Sequence, residues 1–128
     1  MEQVETLKHQ VGGDHYTKMV MQPIELIMQA QLSYIQGNIV KYISRYKNKN
    51  GLEDIKKTIQ YAKFAMEYDD KGPKHASVNL AYAYCKANSL SQAQTNIIIS
   101  AITTDFYLTI KYCKQLAKEE YDVRIKDF

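Results

Sequence analysis

The chain has 128 residues, a formal net charge of +3 at pH 7, and 45% hydrophobic against 24% charged residues. That length supports one domain with a modest core, and the apolar-to-charged balance excludes disorder along most of the chain. The charge is mild and Asp and Glu are dispersed among Lys and Arg, which argues against long nucleic acid as a partner; a small phosphorylated ligand needs only a few cations.

Eleven tyrosines stand against three phenylalanines and no tryptophan. Tyrosine packs a ring and still offers a hydroxyl, so it suits half-buried walls, subunit interfaces and base-stacking surfaces as well as a small core. Cys85 and Cys113 are far apart, with no metal-ligand spacing around them, and read as reduced core thiols; no metal site is expected. No signal peptide is evident, and no apolar run nears the ~20 residues of a membrane span. The expectation is a cytoplasmic protein without a membrane partner.

Residues 1–11 are polar and weakly patterned and read as an irregular N-terminal arm. Gly12-Gly13-Asp14 marks a loop, followed at once by His15 and Tyr16. Pro23 suits a first helical turn and predicts a helix through Ile24, Ile27 and Met28 to about Gln31. Ser33 caps a second helix, in which Ile35, Ile39, Ile43 and Tyr46 form one buried stripe. The run Lys47–Gly51 breaks it, with Gly51 as the turn residue. A third helix starts at Leu52, carries Glu53 and Asp54 in its first turn, and continues through Ile55, Ile59, Ala62 and Met66 to the breaker Asp69–Pro73.

Further on, Val78, Ala81, Tyr82 and Cys85 form another stripe, separated from the next segment by Ser89-Leu90-Ser91. Ile97-Ile98-Ile99 is the one stretch with strand character, being β-branched throughout, although its Gln- and Ala-rich flanks favour helix. Asp105 caps a last helix through Phe106, Ile110, Cys113 and Ala117 to Glu120. No internal repeat is evident. These elements predict an all-α fold, a compact bundle of about five to six short helices in one domain spanning the chain.

On the second helix, at ~100° per residue, Tyr34, Asn38, Lys41 and Arg45 fall within an arc of roughly 60° beside the apolar stripe. A fully solvated face would point away from the core; this one sits where a cleft between helices opens. Arg45 offers a planar fork for phosphate, Lys41 a mobile point charge, and Asn38 both a donor and an acceptor for a base or ribose edge. As ordinary surface residues, Lys41 and Arg45 would instead cover apolar atoms with their stems. Lys47 and Lys49 add charge in the following loop, and Asp54, Lys57 and Tyr61 share one face of the third helix. Asp54 suits pairing with Lys41, Arg45 or Lys57, and so orienting them, better than it suits metal ligation. His15, held after Gly-Gly-Asp, can donate to a phosphate or move a proton near neutral pH, or be a plain turn residue. The phosphate-loop and dinucleotide glycine motifs are absent, as are a zinc-protease motif and a nucleophile elbow.

The string Asp14-His15-Tyr16, Pro23-Ile24-Glu25, Gly37-Asn38-Ile39-Val40-Lys41-Tyr42-Ile43-x-Arg45 and Lys49-x-Gly51-x-Glu53-Asp54-x-x-Lys57 resembles a family of small phage proteins often called SaV-like. That family includes an unusual podovirus nucleotide kinase, which phosphorylates deoxynucleoside monophosphates without a phosphate-binding loop. The resemblance covers residues 12–66 and implies a nucleotide-binding core there, with His15, Tyr16, Asn38, Lys41, Arg45, Asp54 and Lys57 carried over as its site. Tyr42, as a base-stacking ring, and Lys49 complete the candidate binding set. Lys41, Arg45 and His15 are the candidate catalytic residues. One departure is Lys49-Asn50-Gly51, where many relatives have lysine followed by two glycines; residues 74–128 form divergent C-terminal helices that do not align.

Two functions stay open, the first implied by the resemblance and the second suited to a cationic, tyrosine-lined cleft that binds without reacting. One is a nucleoside monophosphate kinase with a nucleoside triphosphate donor, with or without Mg, acting in the host cytoplasm during phage infection. The other is a non-catalytic sponge that sequesters a nucleotide-derived immune signal against host defence. A third option is a helical protein that binds another protein through its tyrosine-rich surface. A homo-oligomer is expected in each case, because short helices leave apolar and tyrosine surface to cover.

Overall fold

The computed structural model describes residues 4–73 and 78–126, so His75 lies outside the described residues. Among those described, the chain is all-α. Its helices are α1 (Pro23–Ala30), α2 (Tyr34–Arg45), α3 (Leu52–Glu67), α4 (Val78–Ala87), α5 (Gln92–Ile102) and α6 (Phe106–Tyr121). Short 3-10 turns at Glu5–Lys8, Tyr16–Lys18 and Tyr46–Asn48 complete it, the first two within an otherwise irregular N-terminal stretch. Ile97–Ile99 is helical, inside α5. The β-branched run is accommodated because Ile97 and Ile98 bury completely in the core, and that burial outweighs a weak local preference.

The helix ends follow from local chemistry. Pro23 opens α1, where the Glu25 carboxylate accepts from the Gln22 amide at 2.6 Å. Ser33 caps α2 by accepting from the Gln36 amide at 3.1 Å, and Asp105 caps α6 by accepting from the Leu108 amide at 3.1 Å. Gly51 precedes α3 with φ +55° and ψ −123°, a conformation a side chain resists; a Cβ there would also meet the Tyr121 hydroxyl at 3.0 Å. Gly37 brings α2 close to α1, since a Cβ would stand 3.2 Å from Ile27 Cδ1.

Contrary to the repeat-free reading of the sequence, the two halves of the chain are built alike. Leu32-Ser33-x-x-Gln36-x-Asn38-Ile39 returns as Leu90-Ser91-x-x-Gln94-x-Asn96-Ile97. Ser33 and Ser91 cap α2 and α5 with the same geometry (φ −65°, ψ 165° and φ −66°, ψ 165°) and the same capping box. Two residues before each cap, Gln31 and Ser89 both take a left-handed turn at φ 54° and 53°. The buried positions coincide as well: Leu26 with Tyr84, Ile39 with Ile97, Val40 with Ile98, Ile43 with Ala101, Ile55 with Thr109, and Ile59 with Cys113. Each helix of the first half packs on its counterpart in the second, α1 on α4, α2 on α5 and α3 on α6. The repeat is hidden in the sequence because it preserves caps and core volume and little else.

Two buried glutamines fasten this pairing. Gln36, besides its part in the α2 cap, donates Nε2 to the carbonyls of Ala101 and Ile102 at 3.2 and 3.3 Å, at the end of α5. Gln94 does the reciprocal work, donating to the Ile43 carbonyl near the end of α2 at 2.8 Å. Helix ends leave carbonyls without intrahelical partners, so these two side chains satisfy one helix's start and the other's finish together. A buried Ser44–Tyr84 hydroxyl bond of 2.6 Å and a Tyr46 hydroxyl donating to the exposed Glu120 add further polar links between halves. Both cysteines are buried and free.

Candidate functional site

Along one edge of the α2–α3 pair the structure gathers cations around a tyrosine. Tyr42 has Lys41 Nζ at 4.8 Å, Arg45 Cζ at 5.0 Å and Lys57 Nζ at 5.4 Å from its ring centroid. The ring quadrupole attracts each of them, which holds three mutually repelling charges in one place. Tyr42 also stacks on Tyr61 of α3 (5.8 Å, 26° between planes), and Tyr61 meets the exposed Tyr34 edge-on at 6.0 Å. The Tyr61 hydroxyl is pushed up to about 12, first by its hydrogen bond with Tyr34 and then by burial. The result is a tyrosine ladder running from the three cations out to solvent.

Asp54 sits at the foot of this cluster, completely buried, and grips Arg45 in a two-pronged pair: Nε to Oδ2 at 3.2 Å and Nη2 to Oδ1 at 3.3 Å. The remaining guanidinium nitrogen donates to the Tyr16 hydroxyl at 3.4 Å. Burial opposes the charge on Arg45, but the bonds to Asp54 and Tyr16 outweigh it, and its pKa lies above the ordinary value. Arg45 is therefore fixed and its charge compensated, with 11% of the side chain exposed. Lys41 and Lys57 form no ion pair with a described residue, so the cluster keeps an uncompensated positive charge. This is the arrangement in which Asp54 orients a cation.

His15 stands beside this layer. Its ring contacts Tyr16 edge-on at 5.2 Å, and its Nε2 is the one buried side-chain polar atom among the described residues that lacks a hydrogen-bond partner. Burial, then the charges of Arg45 and Lys49, lower its pKa from 6.5, so its ring is neutral at physiological pH. Lys49 itself is exposed in the connection between α2 and α3.

Of the residues singled out from the sequence, Tyr16, Lys41, Tyr42, Arg45, Asp54 and Lys57 thus converge, with His15 and Lys49 at their border. Asn38 differs. It is buried and donates its amide to the Tyr34 carbonyl of its own helix at 3.0 Å, and it recurs as Asn96 in the second half. The cluster does not recur. Where the first half has Lys41, Tyr42, Arg45, Asp54 and Tyr61, the matching positions of α5, α6 and their connection hold Ile99, Ser100, Thr103, Leu108 and Gln115. The framework is shared between halves; the charged aromatic cluster belongs to the first alone.

Sequence reasoning missed one cavity among the described residues. It measures about 610 Å³ and lies between the Asp14–Val20 segment, the end of α2 and the α4–α5 connection; of the candidate residues it includes only His15. A smaller crevice of about 150 Å³ lies between Tyr16, Lys41, Pro23 and Ile27. Among the described residues no His, Cys, Asp and Glu side chains group so as to hold a metal ion, and no helix is long and apolar enough to cross a membrane.

Residues 11–63 match a protein-family model described only as a protein of unknown function, DUF3310. That stretch ends inside α3 and contains every candidate residue from His15 to Lys57. No curated protein and no solved structure matches the chain.

Proposed function

We propose that the chain is a phage nucleotide-binding protein whose site is the cation–tyrosine cluster of α2 and α3. The observation that carries this reading is the cage of Lys41, Arg45 and Lys57 around Tyr42, with only Asp54 to balance it. A mobile dianion such as a phosphate completes that charge balance, and exposed Tyr34 at the outer end of the ladder offers a face for a base. That the cluster is missing from the structurally equivalent half supports a role beyond folding, because the same architecture stands there without it.

The chemistry implied by the resemblance is phosphoryl transfer between nucleotides. An oxygen of the acceptor monophosphate attacks the terminal phosphorus of a triphosphate, the bond to the bridging oxygen breaks, and two diphosphates leave. Lys41 and Lys57 would neutralise the charge on the transferring group, while Arg45, locked by Asp54, would position it. Neutral His15 would donate a hydrogen bond at the border of the site. Mg, where used, arrives on the triphosphate as part of the substrate.

The sponge reading uses the same cage without transfer, and the buried commitment of Arg45 to Asp54 favours it to this extent: a rigid cage suits tight capture of one anion. Incubating the protein with ATP and each deoxynucleoside monophosphate, then resolving products by mass, separates the two. Diphosphate formation that is lost in Lys41→Ala establishes transfer. A nucleotide recovered unchanged and held until denaturation establishes capture. If neither occurs, the nucleotide reading fails.

A further inference from the structure

We infer that the cavity of about 610 Å³ is a second nucleotide site, so that the chain holds two phosphorylated ligands at once. The identity of its occupant rests on the nucleotide reading above; its existence does not. Its volume lies within the range of small-ligand pockets, which is roughly 300–1,000 Å³. Its walls are divided as a nucleotide is: Met19 and Leu90 offer an apolar surface for a base, while Lys18, Lys47 and Asn48 gather at its rim with donors for phosphate. The one acid lining it, Asp14, is already paired with Lys18 at 3.0 Å, so Lys47 leaves the rim net positive.

Several polar groups in the lining are occupied by the fold. Asn88 exchanges hydrogen bonds with the Met21 backbone, Ser44 is bound to Tyr84, and Gln94 ties α5 to α2. They make the cavity wall rigid. What remains for a ligand is the charged rim, with the His15 side chain lining the cavity beside it. His15 also fixes the cavity's position relative to the cation cluster. Its ring lies against Tyr16, and the Tyr16 hydroxyl takes a hydrogen bond from Arg45, so a single layer of side chains divides the two places. Two ligands bound on either side of that layer are close but screened from each other, so direct transfer between them requires the His15–Tyr16 layer to part; a sponge needs only one.

Native mass spectrometry of the full chain with ATP and dTMP, added separately and together, counts the ligands. Ala87→Trp places a large ring in the cavity from the exposed end of α4, and circular dichroism checks that the helices remain. Lys47→Glu reverses the rim charge at an exposed position and covers the case in which the tryptophan perturbs folding. Two nucleotides are expected on the unaltered chain and one on Ala87→Trp, with at least tenfold weaker binding of the second nucleotide in Lys47→Glu. Occupancy that never exceeds one, or two ligands retained at undiminished affinity in both cavity variants, overturns the second site. If Lys57→Ala keeps two ligands while Ala87→Trp loses one, the cavity stands and the cluster at Tyr42 is not the other site.

Discussion

Removing Asp54 tests the cation cluster at its foundation. The carboxylate is fully buried and both its oxygens contact Arg45, at 3.2 and 3.3 Å. Asp54→Ala leaves a largely buried guanidinium with Tyr16 as its remaining hydrogen-bond partner and the Tyr42 ring beneath it, and breaking a buried pair from one side costs about 3–5 kcal/mol. Arg45 keeps 11% exposure and can turn partly toward water, which places the expected cost near the low end, about 3 kcal/mol. Unfolding entropy of about 2.1 cal/mol/K per residue, over 128 residues, turns that into a fall of about 10 °C in Tm. The double variant Asp54→Ala with Arg45→Met removes both charges and should recover about 2 kcal/mol of the loss, because no charge is left unpaired. Urea denaturation of the four proteins gives the coupling directly. A single-variant loss below about 1 kcal/mol, with no recovery in the double, would mean that the pair does not hold Arg45 as described.

Other expectations follow from the same geometry. Gln36→Leu and Gln94→Leu should each cost about 2 kcal/mol in denaturant titrations, since each strands carbonyls at a partner helix end; unequal costs would argue against the reciprocal roles. His15 has a depressed folded-state pKa, so the unfolded chain binds its proton more readily. Stability should therefore be unaffected by this group above its ordinary value of 6.5 and fall as pH drops below it, a dependence that His15→Gln should lessen. Tyr42→Ala should weaken nucleotide binding at least tenfold by calorimetry, whereas Tyr42→Phe, which keeps the ring under the cations, should stay near the unaltered affinity. We also propose that the chain self-associates through exposed side chains such as Phe64, Met66 and Tyr107; sedimentation showing only monomer at micromolar concentration would contradict it.

The helices were legible in the sequence because their determinants are local. Ser33, Pro23, Gly51 and Asp105 act within a turn or two of where they stand, and apolar spacing marks much of the buried faces. Ile24, Met28, Met66 and Tyr82, read into the helical patterns, are nevertheless exposed, and α1 buries Leu26 and Ala30 instead. The possibility of an Arg45–Asp54 pair was legible too, since both residues fall on helix faces flanking one short connection. The duplication was not, because it survives in few identical residues such as Ser33 and Ser91 or Gln36 and Gln94, while its core positions interchange isoleucine with alanine, threonine and cysteine. Nor was the cavity. Its walls come from His15 and from the Ala87–Leu90 connection, remote in sequence and joined by the Asn88–Met21 hydrogen bonds, which no spacing rule anticipates.

Lys57 and Lys111 occupy the same place in α3 and α6, the sixth position of each helix, but only Lys57 lies over a tyrosine ring within a cation cluster. Titrating the unaltered protein, Lys57→Ala and Lys111→Ala with the same nucleoside monophosphate by calorimetry asks whether that cluster is the binding site. Affinity is expected to fall at least tenfold in Lys57→Ala and to hold in Lys111→Ala. Equal effects of the two substitutions, or none from either, would contradict a nucleotide site built by the first half of the chain.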